Sequence, residues 1–569
     1  MNKPVTTKPA SASKATLDSL RLDILSSALT ALTEEIEITL LRSAYSQVVK
    51  EAQDASCAIF TAEGRIVAQP VVIPGHLGSM KYMLAACLRE YPAATLKQGD
   101  VLITNDPYQG GSHLPDIALY RPVFIAGELV AFAGCIIHYT DVGGMVPGSN
   151  PQRATELYQE GIVIPPMKLY DAGQPNETLR KFIGSNVRNP EMFFGDLHAQ
   201  ESALFTGERR VIQLVERFGI ESIRAAMEML IQITEQKARA EISKMKRGSY
   251  EFEDYMDHDG IDINKPVKIK VRLDVLEDRL RFDFTGTDPQ VKGPLNAPLS
   301  KSWTTVFYCV MCALSDDVTF NDGLTKLVEI HVPEGTVLNP IHPAPVNARS
   351  VTVNRVADVV LGALAQAVPD RIGAQSCGVP TGVSFGGIDP RTGRSFIFYE
   401  SYCGGMGATD TGDGPDAVST GTSNAMNIPV EAIEIDYPIR IHRYEILPDT
   451  GGSGQFRGGL GMVREYEMLA ETSTINVRGD RTKFAPKGMN GGGDGEKSHY
   501  VISDRETPQG REIPSKYSSN ISKGDRLRIQ TPGGGGYGPA ADRTQQSIDH
   551  DLSNAKISEA RTREDYRGR

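Results

Sequence analysis

The sequence predicts a mixed α/β (α+β) protein of several layers, on three observations. Long proline-free stretches carry apolar residues at helical spacing. Short apolar runs bounded by glycine and proline read as strands, and a late region is dense in glycine between strand-like segments. At 569 residues the chain also exceeds what one hydrophobic core supports, so two or more packed units are expected.

Taken in order, residues 1–16 are polar and are expected to be disordered, with no apolar run that would make them a signal peptide. Residues 17–190 form an α/β region. It opens on "LDSLRLDILSSALTALTEEIEITLLRSAYS", whose Leu and Ile repeat as in a long amphipathic helix. "ASCAIFTAEGRIVAQ", Ala55 to Gln69, reads as a hairpin turning at Glu63-Gly64. "VLITNDPYQGG" and "LVAFAGCIIHYTDVGG" read as strands that deliver polar residues at or past their ends, where rigid scaffolds build sites. Residues 191–248, without proline, predict two or three helices. Alternating patterns such as "VKIKVRLDVLEDRLRFDFTGT" then mark a second α/β region over 249–402. Residues 403–540 predict a glycine-rich β region, with bursts such as "PDTGGSGQFRGGLG", "MNGGGDGEK" and "TPGGGGYGP". The chain holds 56 glycines, roughly a tenth of it, and tight turns and close backbone approach account for them better than flexible linkers. Residues 541–569 read as a polar tail or loose helix, and no internal repeat is present.

Composition narrows the function classes. A net charge of −11 without a long basic run argues against nucleic acid and anionic membranes as partners. One tryptophan and 7% aromatics argue against base-stacking platforms. Nowhere do eighteen apolar residues run together, so no helical membrane span is expected. Seven scattered cysteines suit a reducing, cytoplasmic setting, and the lone CxxC pair, Cys309 and Cys312 in "TTVFYCVMCALS", reads as part of a buried element. The phosphate-loop pattern GxxxxGK[ST] is missing, and the glycine clusters do not show the strand–GxGxxG–helix pattern with an acidic residue beyond. "GGSGQFRGGLG" reads as turns before the strand "MVREYEML".

The chemistry gathers in two places. "NDPYQGGSHLPDIALYRPVF" sets Asp106, His113 and Asp116 close together, and "AGCIIHYTDVGGMVPGSNP" adds His138 and Asp141. Pro115 bars His113 and Asp116 from a regular helix, but in a loop the two can converge on one cation. His138 ends an apolar run, where an unpaired imidazole is costly unless bonded or ligated. Asp54, just before the hairpin, can supply a second carboxylate. Two imidazoles and two carboxylates suit a divalent Mn, Fe or Zn ion with positions left open for substrate or water. Plainer roles stand beside this one: Asp106-Pro107 starts a turn, His113 caps a helix, and His138 is a bonded core residue. His76 in "IPGHLGSM" either lines the pocket or caps the next helix.

"NDPYQGGSHLPD", "HYTDVGGMVPGSNP", "YQEGIVIPP", "NVRNPEMFFGDLHAQ", "PGHLGSM", "DTGGSGQFRGGLG", "PKGMNGGG" and "TPGGGGYGP" together resemble the hydantoinase B family, over about residues 20–540. That family includes the B subunit of ATP-dependent N-methylhydantoinase, caprolactamase, the carboxy-terminal half of eukaryotic 5-oxoprolinase and the α-type subunit of acetone carboxylase. The resemblance implies an ATP-binding, actin-like A-type partner that phosphorylates a small cyclic amide, in a hetero-tetramer of two A and two B chains. It implies one divalent metal (Mn, Zn or Fe) on Asp54, His113, Asp116 and His138. It also implies catalytic or supporting roles for Asp106, Asp141 and His76, a carboxylate holding each ligand imidazole. Hydrolysis of hydantoin, 5-oxoproline or caprolactam is the favoured activity. Carboxylation of an enol phosphate is the alternative, disfavoured by the chain's short length, and a non-catalytic scaffold for the A-type subunit is a second. A charged substrate would call on an arginine, with Arg121, Arg153 and Arg188 nearest in sequence.

Overall fold

The structure is a computed structural model that describes residues 18–70, 73–402 and 404–566; the expectation for residues 1–16 lies outside them. Seven antiparallel strands make the first sheet: β1 (Ala55–Thr61), β2 (Ile66–Ala68), β3 (Val101–Thr104), β4 (Asp116–Ile125), β5 (Glu128–His138), β6 (Met167–Asp171) and β7 (Gln174–Pro175). Their spatial order is β2-β1-β5-β4-β3-β6-β7. The β1–β2 hairpin turns over Gly64, whose φ of 81° is a left-handed value that glycine adopts without strain.

Both faces of this sheet are covered. Cys57, Ile59, Ile117, Leu119, Ala133 and Cys135 meet the helices Ser19–Ser43 and Pro190–Phe218. Alternate residues, Ala58, Phe60, Ala118, Tyr120 and Ile136, meet the helix Pro74–Glu90 through Met80, Met83 and Leu84. Burial on both sides explains why these strands read as unbroken apolar runs rather than alternating ones. In Ser19–Ser43 the buried Leu22, Leu25, Leu29, Leu32, Ile36 and Leu40 recur every three or four residues, after an N-cap in which Asp18 accepts from Arg21 N at 2.7 Å. The proline-free segment is two helices, Pro190–Phe218 and Ile220–Ile242, parted at Gly219.

The second sheet joins Gly248–Met256, Val267–Val275 and Leu280–Asp283 to Val328–His331, the last pair parallel. Helices Leu299–Ala313, which carries buried Cys309 and exposed Cys312, and Arg349–Ala367 share its core. Two further antiparallel sheets follow. One orders Ser395–Tyr402, Thr381–Ile388, Thr472–Arg478 and Lys516–Ser522; the other is built on Ile439–Ile446, Met462–Met468 and Arg526–Gln530. Among the described residues no helix is long and apolar enough to cross a membrane.

The glycine bursts lie outside these strands and bond to one another through their backbones. Gly405 N donates to Pro532 O at 3.0 Å, Gly534 N to Gly459 O at 2.8 Å, Gly459 N to Met406 O at 2.8 Å, and Gly452 N to Gly534 O at 2.9 Å. A Cβ on Gly534 would fall 2.0 Å from Met406 O, and one on Gly405 1.9 Å from Gly459 O, so only glycine fits. Close backbone approach is therefore the reason for these glycines, with few tight turns among them. The polar tail is also more ordered than its composition suggests. Helices Gln545–Ser553 and Glu559–Asp565 pack through Ile548, Ile557 and Tyr566, and Arg543 ties them to Asp413 and Asp551 at 2.8 and 2.6 Å.

A buried ionic lattice fastens the helix Arg349–Ala367 to two sheets. Arg355 bonds Asp254 at 2.7 Å and Asp480 at 3.0 Å, Lys516 Nζ bonds Asp480 at 2.6 Å, and Arg481 bonds Asp358 at 2.7 Å. Burial alone would raise Asp480, but Lys516 and Arg355 hold its carboxyl well below the usual aspartate value. A depressed carboxyl contributes stability that is present above its unfolded pKa and lost as pH falls through the folded one. Asp480→Asn is thus expected to lower the thermal midpoint at pH 7 by the equivalent of about 3–5 kcal/mol, as for a broken buried pair. The gap to the parent protein should hold steady in mild acid and narrow once pH drops below the ordinary aspartate range. Thermal melts across pH measure it, and a gap that does not change with pH would contradict the assignment.

Candidate metal centre

Strand register builds the centre. Asp116, the first residue of β4, is the direct cross-strand partner of His138, the last of β5. On the other side of β5, one step past the Ala55–Ile137 pair, His138 N donates to Asp54 O at 3.1 Å. Asp54, His138 and Asp116 thus stand abreast on three adjacent strands, on the face that meets the helix Pro74–Glu90. Their row directly continues Ser56, Ile136 and Ala118. His76, in the first turn of that helix, closes over them. Its Nε2 is 3.5 Å from Asp54 Oδ1 and 3.8 Å from Asp116 Oδ2, and its Nδ1 is 3.3 Å from Ser56 Oγ.

His113 enters from the loop before β4. Asn105 holds that loop: its Nδ2 donates to Leu114 O at 2.7 Å while its Oδ1 accepts from Ile164 N at 2.6 Å. His113 Nε2 lies 2.9 Å from Asp116 Oδ1, and Arg349 bonds Asp116 Oδ2 at 2.9 Å and Ser112 Oγ at 2.8 Å. Glu160 sets the turn ahead of Arg349 by accepting from Val346 N and Asn347 N at 2.9 and 2.8 Å. His113, Asp116 and His138 offer ligand atoms that all lie within 4.8 Å of one another, and all three residues are buried.

Burial is the leading influence on every charge here. It takes His76 down to about 3, His138 to about 4 and His113 well below the usual imidazole value. Asp116 would rise with burial, yet the His113 and Arg349 side chains beside it hold it well below the carboxylate range. Asp54 is pushed up to about 7, by burial and then by the charge on Asp116. Burial therefore favours free-base imidazoles, and Arg349 favours an ionised Asp116, the protonation states that ligation requires. His113 Nδ1 and His138 Nδ1 are both buried without a hydrogen-bond partner. Such orphaned nitrogens are costly unless something binds them, so the donor set fits a divalent transition ion.

The sequence-based expectations divide. His113, Asp116 and His138 come together as expected. Asp54 falls outside that trio and faces His76 instead. His76 lines the cavity, and its neighbours are carboxylates and Ser56 rather than the other imidazoles. Asp106 and Asp141 are not in the centre. Asp106 caps a short turn, accepting from Tyr108 N at 2.9 Å and Gln109 Nε2 at 3.0 Å. Asp141 binds Gly143 N, Gly148 N and Arg188, and so shapes its own glycine loop. Arg121 pairs with Glu208 and Arg153 is exposed, so neither they nor Arg188 serves the cavity.

Distant segments supply what the sequence did not reveal. Arg349 and Ser350 open the helix Arg349–Ala367, Lys301 lies in the first turn of Leu299–Ala313, and Tyr399 and Arg478 come from the third sheet. Tyr399 stacks on the His138 ring at 4.7 Å and 10° and accepts from Arg478 Nη2 at 2.8 Å, which fixes the imidazole plane. Gly382 lies between those two strands, and a Cβ there would fall 2.8 Å from Arg478 Nη2. Burial and the nearby Arg349 bring Lys301 down to about 7. Only one hint was readable: a lone charged residue in an otherwise uncharged helix start, "PLSKSWTTVF".

Comparison with known proteins places the chain as a whole. The family model described as hydantoinase B/oxoprolinase matches residues 18–540. The chain is 32% identical to the caprolactamase subunit beta of Pseudomonas jessenii, covering 95% of this chain and 94% of that one. The crystal structure of the ATP-dependent caprolactamase from that organism superposes with a TM-score of 0.90 over 97% of this chain and 96% of that one, at 30% identity. With 5-oxoprolinase 1 of Arabidopsis thaliana the identity is 33% over 92% of this chain but only 42% of the plant protein. A nucleotide-free acetone carboxylase shares the fold, with a TM-score of 0.88 at 18% identity, covering 96% of this chain and 79% of that one.

Proposed function

The chain belongs to the hydantoinase B/oxoprolinase family, and from that premise we propose that it is the hydrolytic B-type subunit of an ATP-dependent cyclic-amide hydrolase. The observation that carries this reading is the buried trio His113, Asp116 and His138, of which Asp116 and His138 line a cavity with Asp54, His76 and three cationic side chains. ATP would be used by an A-type partner, in keeping with the missing phosphate loop in this chain. Phosphorylation of the amide oxygen removes amide resonance and leaves an electrophilic carbon.

His113, Asp116 and His138 would hold a divalent ion, which supplies Lewis-acid polarisation of an oxygen or acidification of water. The remaining work falls to this chain's own groups. Arg349 fixes the Asp116 carboxylate, and Tyr399 fixes the His138 ring. Asp54 Oδ1 and His76 Nε2, 3.5 Å apart at the cavity wall, are placed to exchange a proton with the attacking water and with the ring nitrogen as its C–N bond breaks. The buried setting of His113, Asp116 and His138 limits bulk water at the reacting carbon.

The test is turnover by the chain co-purified with its A-type partner, using hydantoin, 5-oxoproline, caprolactam and acetone, with and without bicarbonate. Phosphate release coupled to opening of one cyclic amide, without bicarbonate, is expected. Strict bicarbonate dependence with acetone would replace this reading with a carboxylase. Full activity in His113→Ala and His138→Ala complexes would reduce the chain to a scaffold.

A further inference from the structure

Three helices start at the cavity: Pro74–Glu90, Leu299–Ala313 and Arg349–Ala367. None has a side-chain N-cap hydrogen bond. Gly75 and His76, Lys301, and Arg349 and Ser350, all from first turns, line the cavity together. Each helix start carries about half a positive charge, which favours an anion, while first-turn N–H groups such as Gly75 N, on Thr422 O at 2.9 Å, and Arg349 N, on Val346 O at 3.0 Å, are already bonded.

A second observation is independent of the helices. Lys301 and Arg478 are 4% and 3% exposed, and neither forms an ion pair with a carboxylate among the described residues. Lys301 Nζ donates to Gly75 O. Arg478 reaches Tyr399 Oη and, at 3.5 Å, Asn150 Oδ1, while its Nε is buried with no partner. Ser350 Oγ, on the same lining, is also buried without a partner. Burying a cation without a counter-charge costs several kcal/mol, so two in one cavity call for an anion. The two carboxylates that line it act on these cations only at a distance, without an ion pair: Asp116 is bonded to His113 and Arg349, and Asp54 stands beside His76.

We propose that Lys301, Arg478 and the three helix starts form a subsite for a phosphoryl group next to the metal centre. A phosphoryl group carries −1.5 to −2 charges and three acceptor oxygens, which matches two unpaired cations; a substrate carboxylate offers one charge. In the hydrolase reading, on which only the identity of the incoming species rests, the group is the phosphate of the activated amide, held here as it leaves.

The test uses the full-length chain alone, in EDTA, without ATP or amide. Titration calorimetry and thermal shift are run with inorganic phosphate and with acetate against chloride at equal ionic strength. Saturable phosphate binding is expected, weakened about tenfold or more by Lys301→Met and by Arg478→Met, the loss of a charge-assisted hydrogen bond. Arg478→Lys keeps the charge but loses the fork, and should still weaken binding several-fold; it decides the matter where the methionine variants do not fold. No binding beyond chloride, equal binding of acetate, or unchanged affinity in folded variants overturns the subsite. Phosphate binding without amide turnover would sink the hydrolase reading alone, and amide turnover without phosphate binding would sink the subsite alone.

Discussion

Asp116→Asn is expected to strip the bound metal and to cut turnover of the complex by about 10³-fold or more. A Lewis acid contributes several kcal/mol to charge stabilisation in the transition state, and each 1.36 kcal/mol is a factor of ten. Asp116 is the hub of the centre, bonded to His113 at 2.9 Å and to Arg349 at 2.9 Å, and it is fully buried. Asparagine keeps the shape but loses the charge, and leaves Arg349 unpaired. A fall in thermal midpoint should therefore accompany the fall in activity. His138→Ala separates the two effects. It removes a donor whose Nδ1 has no protein partner and strands no charge, so metal and turnover should go while stability changes less. Metal content per folded chain and the rate of ring opening are the measurements. A variant of either kind that stays within tenfold of the parent rate would count against the centre.

Gly534→Ala is expected to cost most of the chain's stability. The new Cβ would sit 2.0 Å from Met406 O and 2.3 Å from Met406 C, and backbone cannot swing aside as a side chain can. Relieving the clash parts Gly534 N from Gly459 O and Gly452 N from Gly534 O. Overpacking costs about 1–3 kcal/mol, and each buried backbone group left unsatisfied adds about 1–3 more. Against a usual margin of about 5–15 kcal/mol, that sum takes much of the whole. Insoluble protein or a midpoint lowered by well over ten degrees is the expected outcome. Gly412→Ala is the control: nothing lies within 4 Å of its Cβ, and it should melt within a degree or two of the parent. Equal behaviour of the two variants would show that the glycine segments are not packed as described.

What the sequence revealed follows physical lines. Helices such as Ser19–Ser43 were legible because one face is buried and the other wet. The β1–β2 hairpin was legible because Gly64 marks the turn. His113, Asp116 and His138 were legible because polar residues at the ends of apolar strands are expensive without a purpose. Register was not legible. Nothing local says that Asp116 and His138 are cross-strand partners or that Asp54 falls opposite His138 yet turns to His76. Asp106 and Asp141 misled because a carboxylate beside a proline or glycine turn serves its own loop as readily as a metal. Arg349, Lys301 and Arg478 stayed hidden because they reach the cavity from segments about 250 to 420 residues beyond Asp54, through packing that no short motif encodes. The phosphate-loop look of "GGSGQFRGGLG" dissolves for a related reason: its backbone groups are spent on other glycine segments, as in Gly452 N to Gly534 O at 2.9 Å.

The most direct test of the central claim is anomalous diffraction at the Mn, Fe and Zn absorption edges from crystals of the purified complex. A single strong peak bounded by His113, Asp116 and His138 is the predicted result. A fully active complex whose only metal peak lies elsewhere, or which shows none at any of those edges, would contradict it.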